Sequence, residues 1–128
     1  KWADVDLKQK VLTVRGEGAK SLKTRHIPLN EKAQAVFEHW PKTGAFVFTS
    51  VGGEKFDNVK KAWMGILEDA EIQGFRWHDL RHTFASNLVQ RGVPLNTVRE
   101  LLGHADLAMT LRYSHLAPSN MHEAVSML

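Results

Sequence analysis

The sequence predicts an α+β fold that is mostly α-helical, with a small sheet or hairpin followed by about six helices. Two observations lead to this prediction. The first 29 positions combine a short run of β-branched residues with a glycine-containing turn and a proline. After them, apolar residues recur at helical spacing, in segments that begin at capping residues and stop at glycines.

The extended part of the chain is expected before residue 30. Residues 11–14 form a β-rich run, and the two glycines of GEGAK, residues 16–20, suit a turn. The returning strand is expected at residues 24–29. Because proline cannot donate to a β-ladder, Pro28 places this strand at an edge or marks its end.

Six helices are expected in the rest of the chain. Asn30 suits the N-cap of the first helix, and Asp57 or Asn58 suits that of the second. Gly92 and Gly103 are fitting stops for the third and fourth. The six segments are residues 30–40, 59–70, 78–92, 94–103, 105–115 and 120–128.

The apolar spacing also predicts which side chains are buried. In the third helix Leu80, Phe84, Leu88 and Val89 are expected to face inward. The 43% of hydrophobic residues is enough for a real core in a single domain of 128 residues. Disorder is therefore not expected for most of the chain.

The composition limits the classes of function without selecting one. A net charge of +3 and a pI near 9.3 permit a polyanionic partner but do not require one. The absence of cysteine excludes disulfides and thiolate metal sites, and it fits a reducing compartment. No apolar run approaches the length of a membrane span, and the first residues do not form a signal peptide.

Two side chains near the start of the third helix suit an anion. His78 and Arg81 are three positions apart, so they share one face of a helix. The planar guanidinium of Arg81 fits two oxygens of a phosphate. The alternative is a structural ion pair of Arg81 with Asp79 or Glu100.

The stretch LLGHADLAMTLRYSHLAP holds two further candidates. His104 directly follows a helix-stopping glycine, where an imidazole can donate to an anion; the alternative is a buried imidazole with its hydrogen bonds made. Tyr113 is the only tyrosine in the chain. A phenol, whose ordinary pKa is about 10, needs nearby cations to become a nucleophile. The alternative is a core tyrosine with its hydroxyl bonded.

Two lysines lie near the proposed hairpin turn. Lys20 and Lys23 belong to the basic stretch AKSLKTR, residues 19–25. A lysine on such a turn can carry a proton to a leaving oxygen. The alternative is a solvated positive loop.

Taken together, these residues resemble the signature of the tyrosine recombinases, the phage integrase family. The similarity lies in a His-x-x-Arg box at His78 and Arg81, a Leu-Gly-His box ending at His104, and Tyr113 nine residues later. The stretches WADVDL and KTRHIPL are similar to parts of the family's three-stranded antiparallel sheet, which packs on the helices. The resemblance covers nearly the whole chain.

The resemblance implies a catalytic role for each of these residues. Tyr113 would attack a DNA phosphodiester, form a 3′-phosphotyrosine and free a 5′-hydroxyl. Arg81 and His104 would hold the phosphoryl oxygens, and His78 would act as a base or a further donor. Lys20, with Lys23 as its competitor, would protonate the leaving oxygen. No metal or other cofactor is expected, since arginine and histidine supply the positive charge.

The resemblance also implies partners and a location. The partner would be double-stranded DNA, bound by a tetramer of the complete protein, with the last helix a candidate for docking on a neighbouring protomer. Location in the cytoplasm of a prokaryote is expected, at the nucleoid, in a phage-encoded or cellular protein. Candidate DNA contacts are Lys23, Arg25, Arg76, His82 and Arg112.

One departure from the family concerns the start of the chain. The family has another catalytic arginine shortly before the stretch that matches WADVDL, and the sequence starts at Lys1. Residues 1–128 are therefore expected to form a catalytic-domain fragment that lacks this arginine and the core-binding domain. Loss of one such donor typically costs about 10²–10³ in rate, so weak or absent activity is expected.

Three other functions remain open at this level. A helix-turn-helix DNA-binding module would use residues 82–104 with Gly92 in the turn. A metal-dependent hydrolase would use histidines such as His78 and His82, although no H-E-x-x-H motif is present. A type IB topoisomerase would use the same catalytic residues to relax supercoiled DNA.

Overall fold

A computed structural model describes residues 1–17, 23–50, 52–56, 58–119 and 121–128. The chain divides into two compact units, Lys1–Ile72 and Gln73–Leu128. Within the described residues there are three β-strands and six α-helices, which confirms the α+β class. The strands and the first two helices belong to the first unit, and the other four helices belong to the second.

The sheet is a short antiparallel meander of three strands in the order β1-β2-β3. Leu12 in the central strand lies opposite Val5 on one side and Ile27 on the other. Pro28 is the last residue of the edge strand, as the sequence predicts. Part of the turn expected at residues 16–20 lies outside the described residues. The strands are β1 (Val5–Asp6), β2 (Val11–Val14) and β3 (Arg25–Pro28).

Two helices complete the first unit, α1 (Glu31–His39) and α2 (Lys60–Asp69). The predicted N-cap of α1 is confirmed, because Asn30 Oδ1 accepts a hydrogen bond of 2.9 Å from the backbone N–H three residues later. At the start of α2, Asn58 Oδ1 accepts from the backbone N–H two residues later at 2.8 Å. Each side chain satisfies a helix N–H that has no partner within its helix.

The second unit consists of four helices and carries most of the candidate site residues. Gly92 and Gly103 follow the first two of them with φ of 78° and 70°, a left-handed conformation that suits glycine. The predicted stops are therefore confirmed. The helices are α3 (Asp79–Gln90), α4 (Leu95–Leu102), α5 (Ala108–Leu111) and α6 (Met121–Ser126).

The single helix predicted over residues 105–115 is wrong. Instead, α5 is a short helix, and a 3₁₀ turn follows at Ser114–Leu116. Tyr113 lies between them, where its N–H donates to the carbonyl of Thr110 and its own carbonyl accepts from Leu116, both at 3.0 Å. These bonds span three residues and wind the chain more tightly than an α-helix does. The irregular winding sets the position of Tyr113.

The core of the second unit lies between α3, α4 and Tyr113. Five buried side chains contact one another there, two from α3, two from α4 and the tyrosine ring. Tyr113 is only 6% exposed, so the phenol is part of the packing that stabilises this unit. The five are Ala85, Val89, Val98, Leu102 and Tyr113.

The inward face predicted for α3 is wrong in part. Val89 is buried, and Leu88 packs against the core from its edge. Leu80 and Phe84, however, are 43% and 48% exposed. The reason is helical geometry: Ala85 and Val89, four residues apart, form the stripe that faces the core, and Leu80 and Phe84 lie on the adjacent stripe.

The last helix, α6, leaves its apolar side chains exposed. Met121 and Val125 are 76% and 70% exposed. Six residues are far too short for a membrane span. In the described parts of the chain, no helix is long and apolar enough to cross a membrane.

Candidate active site

The start of α3 is fixed by an ion pair between Arg76 and Asp79. The carboxylate accepts hydrogen bonds from the Arg76 backbone N–H at 2.8 Å and from its guanidinium at 2.8 and 3.2 Å. These bonds and the attraction between the two charges lower the pKa of the Asp79 carboxyl to about 2. Because Asp79 lies in the first turn, it also faces the positive end of the helix dipole. The pair thereby fixes where α3 begins.

Tyr113 meets α3 through His82. The Tyr113 hydroxyl and His82 Nδ1 are 2.6 Å apart, across a sequence separation of 31 residues. The two rings are tilted by 49° with their centroids 6.0 Å apart. His82 is half-buried, so the hydroxyl lies at the edge of the core rather than at its centre. This position matches the alternative raised above, in which Tyr113 is a core tyrosine whose hydroxyl is hydrogen-bonded.

His78 extends this arrangement toward the surface. Its ring centroid lies 5.0 Å from that of His82, with the two planes at 77°. His78 is exposed, whereas His82 is half-buried and Tyr113 is buried. Two imidazoles and one phenol therefore form a row from solvent to core.

Arg81 connects α3 to the end of α4. One guanidinium nitrogen donates a hydrogen bond to the backbone carbonyl of Leu102, the last residue of α4. The last carbonyls of a helix carry partial negative charge, so a cation is stabilised there. Arg81 is half-buried. The Leu102 carbonyl that it binds lies two residues before His104 in the sequence.

His104 is oriented by Thr110. The imidazole Nδ1 and the threonine Oγ1 are 2.9 Å apart, and Thr110 is fully buried. The His104 backbone N–H donates to the carbonyl of Arg99 at 3.0 Å, which closes the left-handed turn at the end of α4. A side chain and a backbone hydrogen bond thus hold His104 at the start of the segment that leads to Tyr113.

The chemistry of this group suits an anionic ligand. A guanidinium and imidazoles donate hydrogen bonds to phosphoryl oxygens, and the phenol is a potential nucleophile. The carboxylate of Asp79, which directly follows His78 in the sequence, is already paired with Arg76. In the part of the chain that the structure describes, no three histidines or carboxylates are grouped as metal ligands would be. The guanidinium and the imidazoles therefore suit a phosphate as ligand.

The other described candidates are Lys23, Arg25, Arg76 and Arg112. Lys23 is exposed, and Arg25 lies half-buried on β3 in the first unit. Arg112, beside the tyrosine, is exposed. Arg76 keeps 77% of its side chain exposed despite its ion pair. Lys20 lies outside the described residues, so its predicted role as general acid stays a prediction.

Sequence reasoning missed two contacts in this group. His82 was predicted as a DNA contact, yet its Nδ1 is bonded to the Tyr113 hydroxyl. Thr110 was not singled out, although its distance of three residues from Tyr113 corresponds to about one helical turn. No sequence pattern links residues 82 and 113, because their contact depends on how two separate segments pack.

The sequence matches the phage integrase family over residues 1–120. Among curated proteins it is similar to the integrase of Salmonella phage P22, with 35% identity over 136 aligned positions. That alignment covers 95% of this chain and 35% of the P22 protein. The chain thus spans about a third of the length of this relative.

The fold is also similar to that of solved recombinase structures. The catalytic domain of bacteriophage HP1 integrase has 28% identity and a TM-score of 0.71, with 98% of this chain and 67% of that one covered. The XerH site-specific recombinase, bound to a palindromic difH substrate in a post-cleavage complex, has 25% identity and a TM-score of 0.73. This match covers 99% of the chain and 39% of XerH.

Proposed function

Because this chain belongs to the phage integrase family, we propose that it carries the catalytic residues of a site-specific DNA recombinase. Tyr113 attacks a DNA phosphodiester, forms a 3′-phosphotyrosine and releases a 5′-hydroxyl. The observation that carries this proposal is the contact of the Tyr113 hydroxyl with His82, which in turn contacts His78, in a unit that also holds Arg81 and His104. The covalent intermediate conserves the energy of the phosphodiester, so the strand is rejoined without ATP.

Arg81, His104 and His78 bind the phosphoryl group in this proposal. Negative charge builds up on the phosphoryl oxygens during the transfer, and fixed cationic donors stabilise it. Arg81 and His104 are held by the Leu102 carbonyl and by Thr110, so both are already oriented before DNA arrives. Preorganised donors of this kind make a metal ion unnecessary.

Lys20 is the proposed general acid, with Lys23 as its competitor. A leaving 5′-oxygen needs a proton, and an ammonium group on a turn can supply it. Lys23 is exposed in the first unit. Each lysine is replaced by alanine and tested on a substrate whose 5′-oxygen is replaced by sulfur, a leaving group that needs no proton. The general acid is the lysine whose alanine variant regains activity on this substrate.

The proposed substrate is double-stranded DNA, contacted by Lys23, Arg25, Arg76 and Arg112. The solved XerH complex with its difH DNA supports a DNA substrate for this chain. We also propose that the complete protein works as a tetramer on DNA, with the exposed apolar side chains of α6 in contact with a neighbouring protomer. The matched relatives come from phages, bacteria and an archaeon, and we place this protein with DNA in the cytoplasm of such a host.

Covalent capture tests the proposal without knowledge of the DNA site. The protein is incubated for hours with labelled duplexes of random sequence that carry nicks. When a strand is cleaved close to a nick, the short piece between the cut and the nick dissociates, so the strand cannot be rejoined. Because each molecule needs to react only once, even a slow rate accumulates adduct. We expect a denaturant-resistant protein–DNA band that Tyr113→Phe abolishes and that His115→Asn, which changes an exposed histidine nearby, retains. If Tyr113→Phe forms the band equally, the proposal is refuted.

A further inference from the structure

We infer that His82 is the base that accepts the phenolic proton of Tyr113 during the attack, an inference that rests on the proposed function. In this step the O–H bond of Tyr113 breaks and its oxygen bonds to phosphorus. The bond from phosphorus to the 5′-oxygen breaks, and that oxygen takes a proton from the general acid. The phenolic proton passes to His82 Nδ1. His78, the histidine of this row that directly precedes α3, remains available to the phosphate.

The geometry places the two atoms where a proton transfer requires them. The Tyr113 oxygen and His82 Nδ1 are 2.6 Å apart, which is within the range for a general base and the proton that it abstracts. A neutral imidazole with its proton on Nε2 leaves the Nδ1 lone pair to accept from the phenol. The rings of His78 and His82 are in contact, with centroids 5.0 Å apart. His82 therefore lies between His78 and the Tyr113 hydroxyl.

The hydroxyl of Tyr113 has a base directly beside it. Tyr113 is 6% exposed, and its hydroxyl meets His82 at the edge of the core. At rest, a phenol does not give up its proton to an imidazole, because an imidazolium is the stronger acid. The phenol becomes far more acidic as its oxygen bonds to phosphorus, so the proton moves to His82 during bond formation rather than before it.

Charged groups also lie near His82. The carboxylate of Asp79 lies three residues earlier on α3. Asp79 stays ionised near neutral pH because Arg76 holds its carboxylate. Arg81 precedes His82 on α3, and His78, directly before this helix, contacts the His82 ring. On the elements packed against α3, Arg99 and Glu100 of α4 pair with each other at 3.4 Å, and His115 of the 3₁₀ turn is exposed.

The variant His82→Asn separates proton acceptance from simple positioning. The amide of asparagine reaches about as far as Nδ1 and accepts a hydrogen bond, but it does not take up a proton. General-base catalysis typically contributes about 10²–10⁴ in rate, so adduct formation by His82→Asn near neutral pH should fall by at least about a hundredfold. The matched control is His115→Asn, which should keep the rate.

A second comparison uses the fact that Tyr113 is the only tyrosine. Biosynthetic 3-fluorotyrosine therefore changes this phenol alone and makes it more acidic. In His82→Asn, both fluorination and a rise from about pH 6 to about pH 9 should restore much of the lost rate, because a more acidic or ionised phenol depends less on a base. A deficit that neither change reduces would mean that His82 only holds the ring, and the inference would be wrong.

The outcomes also separate this inference from the proposed function. Adduct formation by wild type and His82→Asn at rates within about threefold of each other overturns the inference and leaves the function standing. Formation of the adduct by Tyr113→Phe as readily as by wild type overturns the function. Folding of His82→Asn is checked by the ¹⁹F resonance of the labelled protein, which should keep one dispersed signal. In wild type this signal should lie at a different chemical shift from that of His82→Asn, and identical signals would contradict the contact.

Discussion

The imidazole of His104 is tied to the buried hydroxyl of Thr110 by a hydrogen bond of 2.9 Å. Thr110 also accepts a backbone hydrogen bond from Tyr113 at 3.0 Å, so one residue orients a proposed phosphate ligand and the start of the nucleophile's turn. Its full burial means that no water replaces the hydroxyl if it is removed. Thr110 is thus a positioning residue whose two functions, packing and orientation, can be tested apart.

Replacement of Thr110 by valine keeps the shape and removes the hydroxyl. We expect the free energy of unfolding to fall by about 1 kcal/mol and adduct formation to slow by about tenfold, since His104 loses its orientation. Thr110→Ser should lose a similar free energy of unfolding, about 1 kcal/mol, because a buried methyl group is removed, but it should keep the rate of adduct formation because the hydroxyl remains. Urea unfolding and single-turnover rates measure both quantities. Equal rates for the two variants would contradict the role of this hydrogen bond.

Arg81→Lys tests whether the guanidinium geometry matters beyond its charge. Lysine keeps the positive charge but not the planar fork that binds a carbonyl and a phosphate together. We expect adduct formation to fall by about 10²–10³. Arg91→Lys is the matched control, since Arg91 is exposed near the end of the same helix. A lysine variant as fast as wild type would show that Arg81 does not grip the phosphate.

The ion pair at the start of α3 predicts a specific dependence of stability on pH. The pKa of Asp79 is lowered from 3.8 to about 2 in the folded protein, so its contribution is present above about pH 4 and is lost as the pH falls toward about 2. Urea unfolding of wild type over this window should therefore show a loss of stability that Asp79→Asn lacks. Asp69→Asn, at the end of α2, is the control and should titrate like wild type. A wild-type profile that matches Asp79→Asn would contradict the pair.

DNA binding should depend steeply on salt, because phosphate contacts release condensed counterions. Arg112 is exposed beside Tyr113, and its replacement by glutamine should reduce the slope of log K against log salt by about 1. Lys32→Gln changes an exposed residue of α1 that was not predicted to contact DNA. Fluorescence anisotropy with a labelled duplex gives both slopes. An unchanged slope for Arg112→Gln would remove this residue from the interface.

Local signals in the sequence predicted much of the fold. Asn30 and Gly103 act on neighbouring backbone groups, so their effects are visible in a few consecutive residues. The apolar spacing of α3 located the helix but did not reveal which stripe faces the core, and Phe84 is consequently 48% exposed. Which stripe is covered depends on the packing of α4, and periodicity alone does not contain that information.

The candidate site was predicted from its motif rather than from physical contacts. His78, Arg81, His104 and Tyr113 were identified by type and spacing, and they lie in one compact unit. The break between α5 and the 3₁₀ turn was missed, because capping and spacing signals do not distinguish a short helix followed by a tighter turn from one continuous helix. The contact of His82 with Tyr113 joins segments 31 residues apart, so only the folded chain reveals it.

Identification of the residue that carries DNA after covalent capture tests the central claim most directly. The adduct is digested with nuclease and protease, and the peptide that retains a nucleotide is sequenced by mass spectrometry. The account predicts a nucleotide linked through its 3′-phosphate to Tyr113, the only tyrosine in the chain. A nucleotide attached to a histidine or lysine instead would contradict the assignment of Tyr113 as the nucleophile.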